Sequence, residues 1–178
     1  MWPWIGIGVA GLAVLVGGLT LVGAWLPRAH VAAVAATFRT DAEALFAALA
    51  DDAGQAAWRR DVRAVERIAD RDGHAVFVYR DSHGGRLPLE RLETVAPRRL
   101  VGRVVDDGLP FGGTWTVDLA PDDGGGTRVT ITEAGFVKPP LVRVFSRLFS
   151  MTATAERTLV DLGRKFGETV TPAVVRAR

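Results

Sequence analysis

GGTWTVDLAPDDGGGTRVTITEAG, residues 112–135, holds the clearest pattern in the chain. Two runs rich in Thr, Val, Trp and Ile alternate apolar with polar residues, and DDGGG lies between them. A period of two is the signature of a strand with one buried face, and an Asp/Gly cluster between two such runs marks a hairpin turn. Trp115, Val117 and Leu119 fall on one face of the first strand, and Val129 and Ile131 on one face of the second. Thr114, Thr116, Asp118, Thr130 and Thr132 fall on the other faces. Glu133 continues the parity of Val129 and Ile131, so a regular strand points its carboxylate inward. Buried carboxylates need a partner. Three readings are open for this one: a polar anchor or general acid/base, an ion pair with a neighbouring arginine, or a bulge near Gly135 that turns it outward.

The same period extends upstream. VRAVERIA, HAVFVYRD, RLPLERLETVA and RRLVGRVVDD read as successive strands separated by turn signals at 71–73, 82–85 and 96–97. Such short breaks predict hairpins and hence an antiparallel meander. His30–Arg39 reads as a first strand, softened by its alanines. Next comes TDAEALFAALADD, where Thr40 and Glu43 have capping-box spacing and Leu45, Phe46 and Leu49 share a helix face. AAWRRD predicts a second short helix carrying Trp58.

Beyond Pro139 and Pro140, Leu141, Phe145, Leu148, Thr152, Ala155, Leu159, Leu162 and Phe166 recur at alternating spacings of 4 and 3. This predicts one long helix of about eight turns with a single apolar stripe. Only the sheet is large enough to be covered by it. The fold class expected is therefore α+β: a curved antiparallel sheet of about seven strands, two short helices and a long C-terminal helix.

The N-terminal segment is of another kind. Residues 4–26 contain no charged side chain, and Thr20 is their one clearly polar residue. At about 1.5 Å per residue the run reaches roughly 34 Å, enough to cross a hydrocarbon core of about 30 Å. Trp2, Trp4 and Trp25 stand at its ends, where indoles favour the interface. The alternative is a cleaved secretory signal, which a longer run with no preceding Lys or Arg disfavours. Arg28, His30 and Arg39 follow the span, so the positive-inside rule puts the rest of the chain in the cytoplasm. Gly6, Ala10, Ala13, Gly17, Thr20 and Ala24 line one helix face, a candidate for self-association or partner packing. The organisation expected is a transmembrane helix at 4–26, a domain at 30–168 and a tail at 169–178.

The chain carries 22 basic and 20 acidic side chains, a near balance that excludes an ordinary nucleic-acid binder. It has no cysteine, hence no disulfide, thiolate nucleophile or cysteine-based metal site. His30, His74 and His83 have no carboxylate or serine at telling spacing and read as surface residues. Arg143 and Arg147, four apart beside Lys138, read as a solvated basic face that could meet anionic lipid heads. LPFGG, residues 109–113, reads as a loop at a tunnel mouth.

This order of elements resembles the helix-grip superfamily that includes birch-pollen allergen-like proteins, START lipid-transfer domains and polyketide cyclases, often called SRPBCC. The resemblance runs from about Val31 to Phe166. It rests on FRTDAEALFAALAD followed by Trp58, on LPFGGTWTVDL, on GTRVTITEAG and on the terminal helix. The chain looks most like small membrane-anchored bacterial members. The resemblance implies a tunnel between sheet and helix and a hydrophobic ligand or lipid as partner. The superfamily also holds iron–sulfur oxygenases, but three scattered histidines without cysteine supply no such ligands. No metal or cofactor is expected, and no catalytic residue is assigned.

Small residues at mid-stripe, Thr152 and Ala155, place the expected void above them. The ligand-binding set is then Trp115, Val117, Val129, Ile131, Glu133, Leu148, Thr152 and Ala155. Two other functions stay open: a cyclase or dehydratase using Glu133 as acid/base, and a membrane interaction module with a filled core.

Overall fold

The computed structural model describes residues 2–106, 108–148 and 152–177, with side chains described for 8–145 and 152–177 of these. Helix α1 spans Trp2–Trp25 and strand β1 Ala29–Phe38, followed by α2 at Ala42–Ala50 and a short 3₁₀ turn at Ala53–Ala57. The meander then runs β2 Ala64–Arg71, β3 His74–Arg80, β4 Arg86–Val95, β5 Arg99–Val104, β6 Phe111–Pro121 and β7 Thr127–Val137. Two helices, α3 at Pro140–Leu148 and α4 at Ala153–Lys165, and a last strand, β8 at Ala173–Val175, complete it.

All eight strands form one antiparallel sheet in the order β2-β3-β4-β5-β6-β7-β1-β8. The quoted hairpin sits where its alternation requires. Val117 pairs with Ile131 and Leu119 with Val129, so both apolar faces coincide. Register shifts between Ile68 and Arg71 and between Arg91 and Glu93 mark bulges, which bend strands. The core lies between the β6, β7 and β1 part of the sheet and helices α2 and α4. Its most enclosed side chains include Phe38, Leu45, Leu100, Ile131, Leu159 and Leu162. Truncating one such leucine to alanine costs about 2–5 kcal/mol.

Three expectations are corrected here. First, the long C-terminal helix is two helices. Ala155, Leu159 and Leu162 enter the core, and Phe166 packs against it. Leu141 and Phe145 belong to α3, which packs beside α1. Arg143 holds α3 in that place. Its guanidinium donates to the carbonyls of Gly23 (2.9 Å) and Leu26 (3.0 Å) at the end of α1, and to Lys138 O at 3.0 Å. These are the orphan acceptors of a helix C-terminus. Arg143 is thus buried and not a solvated surface residue; the side chain of Arg147 lies outside the described residues.

Second, α2 is capped by Asp41, whose carboxylate accepts from Ala44 N at 2.7 Å. Thr40 is drawn elsewhere. Glu168 accepts from the backbone N–H of Arg39 (2.7 Å), the N–H of Thr40 (2.9 Å) and Thr40 Oγ1 (2.5 Å). That clamp ties the chain beyond α4 to the entrance of α2. Third, the segment after 168 contributes β8, which pairs Ala33–Ala35 of β1 with Val175–Ala173.

Helix α1 holds one run, Gly8–Trp25, long and apolar enough to cross a membrane. Where another helix approaches it, the contact is with α3 at Gly23, at which a Cβ would come within 2.0 Å of Pro140 O. Of the small-residue line named from sequence, Thr20 is half-buried, while Ala10, Ala13, Gly17 and Ala24 are exposed.

Candidate functional site

A cavity of about 500 Å³ opens between the sheet and the start of α4. Period two supplies its apolar wall: Leu87 and Leu89 from β4, Val104 from β5, and Phe111 and Trp115 from β6. Leu109 stands at its rim, and Thr154 lines it from α4. A narrower cleft of about 60 Å³ shares Arg59, Tyr79, Leu89 and Trp115 with the larger chamber and reaches in to Leu100, Val117, Ile131 and Thr158. Trp115 stands between the two spaces as a partial divider.

Two polar groupings lie along these spaces, one in the cleft and one in the chamber, whose lining also includes Arg80, Asp81 and Arg86. In the cleft, Asp52 precedes the 3₁₀ turn, yet its side chain makes no capping bond there. It reaches across to Tyr79, whose hydroxyl donates to Oδ1, and to Arg91, whose Nη2 donates to the same oxygen at 2.5 Å. Burial first, then the Asp52 carboxylate, pushes the Tyr79 phenol far above its ordinary range, so it stays protonated. Arg59 lies over the Tyr79 ring, 6.0 Å from its centroid, and is held by both oxygens of Asp61 (3.1 and 2.8 Å) and by Gln55 Oε1 at 3.0 Å. Each arginine here is matched by a carboxylate, so the end wall is polar but nearly neutral.

Nearer the mouth, Glu133 points into the chamber. Its partner is not an arginine. Oε1 stands 3.6 Å from His30 Nε2. The registers explain the grouping: Glu133 is opposite Trp115 on β6 and Ala32 on β1, and His30 is one pleat along from Ala32 on the same face. Gly135 makes room for the imidazole, because a Cβ there would lie 2.8 Å from His30 Cε1. Burial pushes the Glu133 carboxyl above its usual range, with His30 and then Trp115 opposing it. His30 is therefore half-buried beside Glu133 and not a surface residue, although the lining of the chamber does not include it. His74 is half-buried and His83 exposed.

The residues expected from sequence divide accordingly. Trp115 lines both spaces, Val117 and Ile131 the cleft, and Glu133 the chamber. Val129 and Ala155 are packed in the core and line neither space. Thr152 sits at the start of α4 and donates from its hydroxyl to Glu156. The Leu148 side chain lies outside the described residues. The void is not above Thr152 and Ala155: α4 begins at Ala153, so its cavity face is Thr154 and Thr158, one turn apart. Sequence reasoning also passed over Tyr79, Leu87, Leu89, Arg59, Asp52 and Arg91. The first three were available from the alternation in HAVFVYRD and RLPLER; the others depend on how the 59–61 loop folds back. Among the described residues, no group of three or more His, Cys, Asp or Glu is placed to hold a metal ion.

The sequence profile of a family described as polyketide cyclase / dehydrase and lipid transport matches residues 29–167. No curated protein matches the chain. Among solved structures, the di-domain aromatase/cyclase StfQ from the steffimycin biosynthetic pathway is similar with a TM-score of 0.64 at 10% identity, over 79% of this chain and 52% of that one. This chain thus spans about half the length of that protein. Norcoclaurine synthase from Thalictrum flavum gives 0.61 at 12% identity, over 83% and 91%. Zhui aromatase/cyclase from Streptomyces sp. R1128 gives 0.57 at 15%, over 76% and 93%. At such identities the likeness is one of fold.

Proposed function

Because the chain belongs to the polyketide cyclase / dehydrase and lipid transport family, we propose that it binds a hydrophobic small molecule or lipid in its chamber while tethered to a membrane by α1. The observation that carries this reading is the chamber itself. Its volume of about 500 Å³ falls within the range of small-molecule sites, about 300–1,000 Å³, and its wall is mostly apolar. Binding would draw on apolar burial at about 25 cal/mol per Å². Glu133 and Tyr79, which line the chamber, would orient a polar end group. The tether covers residues 4–26 and the binding domain 30–168, and the positive-inside bias places that domain on the cytoplasmic side. The test is native mass spectrometry of the full chain after gentle extraction, together with titration of a solvatochromic fatty-acid probe. A co-purifying apolar mass or saturable probe binding is expected. A reproducibly empty chain that ignores the probe would overturn the reading.

One observation favours a second reading, proton-transfer chemistry on the bound molecule. Glu133 lines the chamber with the His30 imidazole beside it, and burial raises its carboxyl, the direction that general acid/base work needs. On this reading Glu133→Gln abolishes turnover and leaves probe binding intact.

A further inference from the structure

The lining of the chamber comes from one edge of the sheet. It includes Tyr79 and Arg80 at the end of β3, Arg86 at the start of β4 and Val104 at the end of β5. It continues with Phe111 at the start of β6 and Gly135 near the end of β7. The antiparallel registers put these positions together: Arg80 is opposite Arg86, Leu89 opposite Val104, and Phe111 opposite Val137. That edge is also where α1 joins, since Ala29 of β1 is opposite Phe136. Residues 26–28 alone link α1 to β1, and Arg28 O accepts from Val137 N at 3.0 Å. Lys138 N in turn donates to Pro110 O at 2.8 Å, which holds the rim segment containing Leu109 beside the start of α3.

Helix α3 lies along the last turns of α1. Gly23 is buried against Pro140 and Val144, and Leu19 and Thr20 on the same face of α1 are half-buried, whereas its earlier described turns are exposed. The Arg143 clamp fixes this arrangement. Away from the contact, α3 leaves Val142 and Phe145 uncovered, 41% and 45% exposed. Phe111 and Phe136 at the adjoining sheet edge are similarly exposed, and the same end of the sheet carries exposed Arg28 before β1, Lys138 after β7 and Arg86 at the start of β4. An amphipathic helix with exposed Val142 and Phe145, locked to the end of a membrane-length helix, matches the interface of an anionic bilayer, apolar side toward acyl chains and charge toward headgroups.

We propose that the chamber mouth faces the bilayer surface, with α3 seated in the lipid interface beside α1, so that an apolar molecule passes between bilayer and chamber without crossing bulk water. This rests on the tethered reading above. The chain has no cysteine, so single cysteines can carry an environment-sensitive NBD fluorophore without background. The full chain is placed in phosphatidylcholine–phosphatidylglycerol vesicles with labels at Val14→Cys, Phe145→Cys, Arg86→Cys on the far side of the mouth, and Asp123→Cys at the opposite sheet edge. Lipid-borne nitroxides are expected to quench Val14 at depth, and Phe145 and Arg86 at shallow positions, several-fold more than Asp123. Aqueous iodide should reach Asp123 best. If Val14 is quenched but Phe145 and Arg86 behave like Asp123, the tether stands and the proposal falls. If Phe145 is shielded from iodide yet untouched by lipid nitroxides, protein covers the patch, and the proposal also falls. If lipid nitroxides leave Val14 unquenched, the tether fails and the proposal with it.

Discussion

Replacing Arg91 with methionine tests whether the narrow cleft beside the chamber is closed to water. Asp52 is 5% exposed, and its Oδ1 takes hydrogen bonds from Arg91 at 2.5 Å and from Tyr79. Methionine keeps the apolar stem and removes the cation, leaving a buried carboxylate with one neutral donor. Breaking a buried ion pair from one side costs about 3–5 kcal/mol. The Arg91 side chain is one-fifth exposed, so the lower end applies, about 3 kcal/mol. For a chain of this size that lowers the melting temperature by roughly 6–12 °C. Thermal unfolding in detergent micelles, followed by near-UV circular dichroism, reads it directly. Adding Asp52→Asn should restore most of the loss, because no charge is then stranded, and the double-mutant cycle isolates the coupling. A loss under about 1 kcal/mol for Arg91→Met, with no rescue by Asp52→Asn, would show that water solvates Asp52 and that the cleft is not sealed.

Three further outcomes are expected. Glu168→Ala should destabilise by about 2 kcal/mol through loss of its bonds to Arg39 and Thr40. Burial tends to raise the Glu168 carboxyl, but the Thr40 and Arg39 hydrogen bonds outweigh it and hold it below the usual 4.5. The wild-type advantage is therefore present above that pH and vanishes as pH falls through the native value, which acid melts of both chains would record. Glu133→Gln should show the opposite sign. Burial raises Glu133 above 4.5, so the native state keeps its proton longer, and stability declines as pH rises from that value through the raised one. Melting curves of the glutamine variant should lack that decline. Thr154→Trp should fill the chamber and abolish solvatochromic probe binding, with stability changed by no more than about 0.5 kcal/mol because the residue is exposed; unchanged binding would place the ligand elsewhere.

The sheet was legible because alternation is a local property: Trp115, Val117 and Ile131 declare their face within a few residues. The direction of Glu133 followed from the same count. The split of the last helix was not legible. Leu141, Phe145, Ala155, Leu159 and Leu162 keep helical spacing across the break, and spacing does not say which partner each turn covers. In the folded chain the first part of the stripe lies against α1, where Arg143 meets carbonyls 117 and 120 residues earlier in the chain. His30 was misread for a similar reason, since its carboxylate partner lies on a strand a hundred residues downstream and meets it only through the β1–β7 register. Thr40 had the spacing of a cap, but Glu168 was the stronger acceptor once the two met in space.

The two borders of the sheet are guarded by different means. Strand β2 is almost wholly exposed and bristles with Glu66, Arg67, Asp70 and Arg71, charges that deter another chain from adding to it. The border at β1 has no such deterrent, for Ala33, Val34 and Ala35 present bare backbone and small apolar groups. The three residues of β8 occupy that stretch and no more. A fusion partner, a proteolytic nick or a truncation that lifts off the last few residues would uncover a vacant ladder, and the protein would then be prone to sticking to itself.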